Sequence, residues 1–237
     1  SLGDNVDRYF VCAGAGGGTG AGTIMPLINT AADLQKLQKS SSEKAGVILA
    51  LPKISEGTRV NANAFEVLNE VYGAVESGLV SPLIVVDNEK INKLYPNLGV
   101  AQFWQTANMS IAGLFHLFNN TATKDSSYSA FDTNDYKQVL DSGMIVFGAT
   151  QIAKWDGPSD IAQAVRDNLK NNVLSGGVDL STGTSAGVIM IGGNEVLGNV
   201  PQEHLDRAFE QFTRMLADGS VVHRGIYSGN KDNLTAY

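Results

Sequence analysis

Gly14, Gly16, Gly17, Gly18, Gly20 and Gly22 crowd into nine residues between an apolar stretch over 9–13 and a helical pattern over 23–38. Glycine loses more conformational freedom on ordering than any other residue, so such a run at a strand-to-helix junction calls for a compensating contact. Bare backbone lets successive N–H groups converge on one concavity, and the helix start adds positive potential, which together suit phosphate oxygens. Close backbone approach and positive φ at several positions are the expected reasons for the glycines. Thr19 places a hydroxyl at the centre of the run. A P-loop is excluded, because no lysine lies between Arg8 and Lys36, and no register from Gly14 to Gly22 matches the G-x-G-x-x-G dinucleotide fingerprint. The loop therefore points to phosphate and leaves the base open.

The 237 residues, 43% of them hydrophobic, can bury the core of one large domain or two modest ones. A formal charge of -7 argues against a direct nucleic-acid partner, which needs a basic field to displace counterions. No stretch approaches the roughly 20 apolar residues that span a bilayer, so no membrane insertion is expected and the cytoplasm is the expected compartment. The single cysteine, Cys12, cannot form an internal disulfide and reads as a buried strand residue.

Apolar, largely β-branched runs over 9–13, 46–51 and 82–86 alternate with helical patterns over 23–38 and 63–76, the signature of a parallel α/β sheet. A helical stripe over 100–118 ends in the polar tract 119–129, the best candidate boundary. Beyond it the pattern predicts helices over 135–140, 159–173 and 202–217, and strands over 144–148, 186–191 and 221–227. Gly183-Thr184-Ser185-Ala186-Gly187 fits a nucleophile elbow letter for letter, but it leads into a strand and not a helix. His116, His204 and His223 show no metal-ligand spacing and read as surface or packed residues.

The segment Gly16-Gly17-Gly18-Thr19-Gly20-Ala21-Gly22 resembles the signature loop of tubulin/FtsZ-like GTPases, and its setting AGAGGGTGAGTIMPLI resembles the form found in FtsZ. The similarity continues in order through nearly the whole chain. Glu56-Gly57-Thr58-Arg59 resembles the sugar-contacting segment, which implies that Glu56 accepts ribose hydroxyl hydrogen bonds and that Arg59 approaches the nucleotide. Asn88 matches the asparagine presented to guanine; alone it reads equally as a turn residue. Phe103-Trp104-Gln105-Thr106-Ala107-Asn108 resembles the aromatic-x-x-x-Asn arrangement. Trp104 and Asn108 share a helix face, so Trp104 can stack on a purine while the Asn108 amide reads the guanine edge; if Trp104 packs on the sheet, Phe103 is the stacking ring.

Asp132-Thr133-Asn134-Asp135 resembles the catalytic loop whose two acidic residues enter the nucleotide site of the next subunit; in isolation both read as helix-start caps. Ala130 stands where family members commonly carry asparagine, which lowers the expected hydrolysis rate.

The resemblance implies a parallel Rossmann-like nucleotide-binding sheet joined by a long central helix to a second α+β domain. The expected organisation is a partial GTP-binding domain over 1–99 with its N-terminal strands absent, a connecting helix over 100–120, and a C-terminal α/β domain over 121–237. It further implies GTP/GDP with Mg²⁺ carried on the nucleotide, self-association head to tail into a homopolymer, and room for adaptor proteins. The competing expectations are an assembly or regulatory homologue with little hydrolysis, and an α/β enzyme using the loop for another phosphate ligand.

Overall fold

The computed structural model describes residues 6–171, 178–230 and 232–237. The chain divides into two compact units, one of residues up to Met109 with Leu140–Val146, the other of Ser110–Val139 with Phe147–Tyr237.

The first unit is built on four parallel strands in the order β1 (Phe10–Gly14), β2 (Ala45–Leu51), β3 (Val80–Asp87) and β4 (Met144–Ile145). Helices α1 (Gly18–Gln38) and α2 (Thr58–Glu76) make the crossovers, followed by α3 (Asn88–Leu94) and the start of α4 (Val100–Thr121), whose residues beyond Met109 belong to the second unit. Val11, Val47, Leu49 and Leu83 line the sheet face that packs on Ile24, Ile28, Val67 and Val71 of α1 and α2. Gln35, fully buried at the end of α1, accepts from the Tyr9 N–H at 2.6 Å and donates to the Ser42 and Lys44 carbonyls at 2.8 and 2.9 Å, tying helix to strand entries. Arg8 donates to the carbonyls of Ser81 and Leu140 and pairs with Asp141, which anchors the segment carrying β4.

Three local expectations change. Helix α1 starts at Gly18 rather than residue 23, so much of the glycine run is helical backbone. The strand expected over 144–148 shrinks to two residues and pairs with β3. Cys12 is exposed, because its side chain leaves the sheet on the face opposite Val11 and its strand forms the sheet edge.

The second unit holds α5 (Thr133–Leu140), β5 (Thr150–Ile152), α6 (Asp160–Asn171), β6 (Ser185–Gly192), α7 (Asn194–Asn199), α8 (Gln202–Thr213), β7 (Val221–Ser228) and β8 (Leu234–Ala236). Its sheet runs β5-β8-β6-β7, with β6 and β7 parallel and β8 antiparallel to both β5 and β6. Leu205, Ala208, Phe209 and Phe212 form the buried stripe of α8, with Val188, Met190, Ile226 and Leu234 in the same core. The helix expected to reach residue 217 ends at Thr213. The helix expected over 159–173 spans Asp160–Asn171; residues 172 and 173 lie outside the described residues. The two three-residue strands β5 and β8 were not predicted, being too short to show a period.

Candidate functional site

The glycine run follows the carboxyl end of β1, and its geometry shows what each glycine is for. The first helical bond of α1 runs from the Ala21 N–H to the Gly17 carbonyl at 3.0 Å, so the N–H groups of Gly18, Thr19 and Gly20 have no acceptor within the helix. Gly17, the N-cap, makes no side-chain cap. A Cβ at Gly17, Gly18 or Gly22 would meet nothing within 4 Å, whereas one at Gly20 would lie 2.3 Å from the Gly14 carbonyl oxygen and one at Gly16 2.5 Å from Val60 Cγ1. Gly16 and Gly20 are glycine for close approach; Gly17, Gly18 and Gly22 border open space. None of them adopts positive φ, contrary to the expectation, because the chain enters the helix directly from extended backbone at Gly17 (φ -90, ψ 155). Thr19 is exposed in the first turn.

The segments after β2 and β3 leave the same edge of the sheet, since Gly14, Ala50 and Val86 are in register in parallel strands. Ligands of open parallel sheets lie outside that carboxyl edge. Glu56 closes a 3₁₀ turn (Ile54–Glu56), its carboxylate accepting from the Lys53 N–H at 2.8 Å, and Glu89 of α3 accepts from the Ile54 N–H at 3.0 Å. Gly57 has φ +104, a backbone that side chains rarely adopt, which re-aims the chain into α2. Arg59 is exposed in the first turn of α2, and its neighbour Val60 packs on Gly16.

Asn88 opens α3 and is 7% exposed, where Asp87 caps the helix by accepting from the Glu89 and Lys90 N–H groups. On α4, Phe103 is 5% exposed and Trp104 42%, so Trp104 is the ring with a face available to a ligand. The rings meet edge to face at 5.1 Å. The Lys53 ammonium, which the sequence did not single out, sits 5.0 Å from the Phe103 centroid and 5.7 Å from that of Trp104. Asn108 is exposed one turn beyond Trp104.

In the second unit, Asp132 and Asp135 form a reciprocal cap at the start of α5. Asp132 Oδ1 accepts from the N–H groups of Asn134 and Asp135 at 2.8 and 2.9 Å, and Asp135 Oδ2 accepts from the Asp132 N–H at 3.2 Å. Strand β7 holds this turn from beneath. The Tyr227 hydroxyl accepts from the Phe131 N–H at 2.7 Å and donates to the Phe131 carbonyl at 3.1 Å, while His223 Nδ1 lies 2.7 Å from Asp135 Oδ1. Burial, reinforced by the charges of Asp135 and Asp132, raises the Tyr227 phenol above its ordinary range against the opposing hydrogen bond with Phe131.

The fully buried Phe131 ring reaches Phe118, Tyr136 and His223, and it occupies space that a Cβ at Gly187 would invade at 2.8 Å, while one at Gly225 would lie 2.6 Å from Tyr227 Cε2 and 2.8 Å from Phe131 Cβ. The glycine that completes the elbow-like letters, Gly187, thus serves Phe131. Ala130 beside it is exposed. Tyr227 and His223 carried no sequence signal.

A glycine-lined helix start at the carboxyl edge of a parallel sheet, in a chain whose second unit presents a capped acidic turn, is the α/β arrangement to set beside known proteins. No family model matches the chain. Cell division protein FtsZ 1 of Pyrococcus horikoshii is 26% identical over 224 residues, covering 94% of this chain and 54% of that protein. Cell division protein FtsZ of Porphyromonas gingivalis is 26% identical over 166 residues, 70% of this chain and 33% of that protein. Among solved structures, the GTPγS-form protofilament of Bacillus thuringiensis serovar israelensis TubZ aligns with a TM-score of 0.79 at 18% identity over 98% of this chain and 60% of that one. The empty FtsZ dimer of M. jannaschii aligns with a TM-score of 0.69 at 20% identity over 97% of this chain and 62% of that one. The chain has the tubulin/FtsZ-like fold, is similar to FtsZ over most of its length, and spans about half the length of the Pyrococcus relative it matches.

Proposed function

We propose that this chain carries the guanine-nucleotide loop and the hydrolysis-completing acidic turn of a self-assembling, tubulin-like cytoskeletal GTPase. The observation that carries the reading is the open helix start at Gly17–Gly20: N–H groups without an acceptor in the helix, open space around Gly17 and Gly18, and the positive end of α1. Phosphates sit on that loop. Trp104 stacks on the purine, the amides of Asn88 and Asn108 read its edge, and Glu56 and Arg59 approach the sugar. Mg²⁺ would be carried on the phosphates, where it would neutralise their charge.

Asp132 and Asp135 act on the nucleotide of the adjacent subunit, where their carboxylates accept hydrogen bonds from the attacking water and orient it toward the terminal phosphate. Hydrolysis then waits on a head-to-tail contact, and a heterologous contact that does not close produces a filament. Relatives named as cell division FtsZ, and TubZ crystallised as a protofilament, support self-association. No helix among the described residues is long and apolar enough to cross a membrane.

The test is Asp135→Ala in the full-length protein. The rise of GTPase rate with protein concentration is expected to fall by about 10²-fold or more with nucleotide affinity retained; an unchanged rise overturns the reading. Ala130 favours a second reading, a nucleotide-dependent polymer with little hydrolysis. Filaments that form in GTP while the rate stays flat with concentration select it.

A further inference from the structure

The two acidic residues are held differently. Asp132 is exposed and is engaged by backbone N–H groups of its own turn. Asp135, 24% exposed at its side chain, also meets a side chain from a distant strand: His223, 10% exposed, approaches Oδ1 at 2.7 Å. An ionised carboxylate only accepts, so the proton in that contact resides on Nδ1. The other ring nitrogen, Nε2, is buried with no hydrogen-bond partner among the described residues. The imidazole therefore spends its only satisfied contact on Asp135, and leaving Nε2 bare costs free energy that no packing need explains. Phe131 meets the ring edge-on at 6.5 Å, and Tyr227 fixes the backbone of Phe131 one residue before Asp132. With His223 on Oδ1 and the Asp132 N–H on Oδ2, the Asp135 carboxylate has its plane fixed, and each oxygen keeps a lone pair for a water.

We propose that His223 is a positioning residue for hydrolysis: it fixes the Asp135 carboxylate in the orientation that meets the neighbouring subunit's attacking water. The inference rests on the function proposed above. Within the acidic pair it gives Asp135 a support from a distant strand besides the cap it shares with Asp132, and it explains why a buried histidine stands opposite the turn with one nitrogen unpaired. Reactions that depend on a set geometry lose about 10²-fold on a displacement of roughly 1 Å, so a carboxylate released to rotate is costly even when it remains in the site.

Two substitutions separate this role from packing. His223→Leu keeps the bulk and removes the donor, whereas His223→Asn keeps an N–H near the Nδ1 position and loses bulk. In the full-length protein, His223→Leu is expected to lower kcat for GTP by about 10- to 100-fold with KM and the critical concentration for assembly unchanged, and His223→Asn to stay within about 3-fold of the parent. Parent-like turnover in His223→Leu, or a loss in both variants that follows a fall in Tm, overturns the proposal.

Should His223→Leu fold poorly, the double substitution with Asp135→Asn decides. A histidine that acts through Asp135 adds no further rate loss to Asp135→Asn, and an additive loss overturns the role. Failure of the wider reading looks different, since Asp135→Ala would then leave assembly-dependent hydrolysis intact.

Discussion

The glycine loop of the first unit and the acidic turn of the second are built on opposite plans. The loop is nearly bare: Gly17, Gly18 and Gly22 border open space, the N-cap has no side chain to donate or accept, and only Gly16 and Gly20 are pressed against neighbours. The turn is tied by the Phe131 ring against Gly187, the paired Tyr227 hydrogen bonds, the reciprocal Asp132–Asp135 cap and His223. A site that receives a ligand must leave its hydrogen-bond capacity unspent, because any group filling it would compete. A group that acts on another molecule must arrive already oriented, since it gains nothing from a ligand of its own. The difference fits the proposed function, in which the loop receives and the turn delivers.

Removing the largest anchor is the strongest attack on that contrast. Phe131→Ala deletes a fully buried ring packed against Gly187 of β6 and is expected to destabilise the second unit by about 3–5 kcal/mol, read as an earlier urea transition. Nucleotide binding by the first unit should survive. Loss of both together would show that turn and loop are not independently built.

Next in size is Gly20→Ala. Helix propensity alone would favour alanine by about 1 kcal/mol. The added Cβ, however, falls 2.3 Å from the Gly14 carbonyl, a backbone atom that can yield only by separating helix from strand, so a net loss of about 1–3 kcal/mol is expected. A thermal melt gives the sign, and a stabilised variant would remove close approach as the reason for this glycine.

Tyr227→Phe comes third. It leaves the buried Phe131 N–H and carbonyl without partners at about 1–3 kcal/mol. Because the folded phenol is raised above its ordinary value near 10, its contribution is complete below that pH and is lost as pH rises through the folded value. The parent should therefore lose stability on the alkaline side more steeply than Tyr227→Phe, and parallel alkaline limbs would contradict the assignment.

The same contrast governs what could be read from the sequence. The places of the glycine loop, Glu56 and Asn88 after successive strands were legible because a parallel sheet delivers the carboxyl end of every strand to one edge, so order along the chain becomes nearness along that edge. The start of α1 was misplaced because glycine's low helix propensity reads as loop, whereas the contact of Gly20 with Gly14 holds it helical. The anchors of the acidic turn were illegible for a different reason: Tyr227 lies 96 residues from Phe131, and neither it nor His223 stands in any local pattern with the aspartates. Gly187 was visible as a letter of an elbow motif, but its purpose, room for Phe131, exists only across the fold.

The smallest expected effect on stability is the sharpest test of the comparison. Gly17 has φ -90 and ψ 155, which alanine adopts without strain, and its Cβ would touch nothing within 4 Å. Alanine is a poorer N-cap than glycine, while replacing glycine lowers the entropy of the unfolded chain by about 0.4–1 kcal/mol, so Gly17→Ala should leave stability within about 0.5 kcal/mol of the parent. The methyl nevertheless enters the space where, on the proposed function, the backbone meets a phosphate. Interference with one such hydrogen bond is worth about 1–3 kcal/mol, or roughly 10-fold or more in nucleotide affinity measured by titration calorimetry. An unchanged melt with weakened nucleotide binding fits a bare loop kept open for a ligand. Unchanged binding would mean that phosphate does not approach Gly17, and the receiving side of the comparison would have to be sought elsewhere along the carboxyl edge of the sheet.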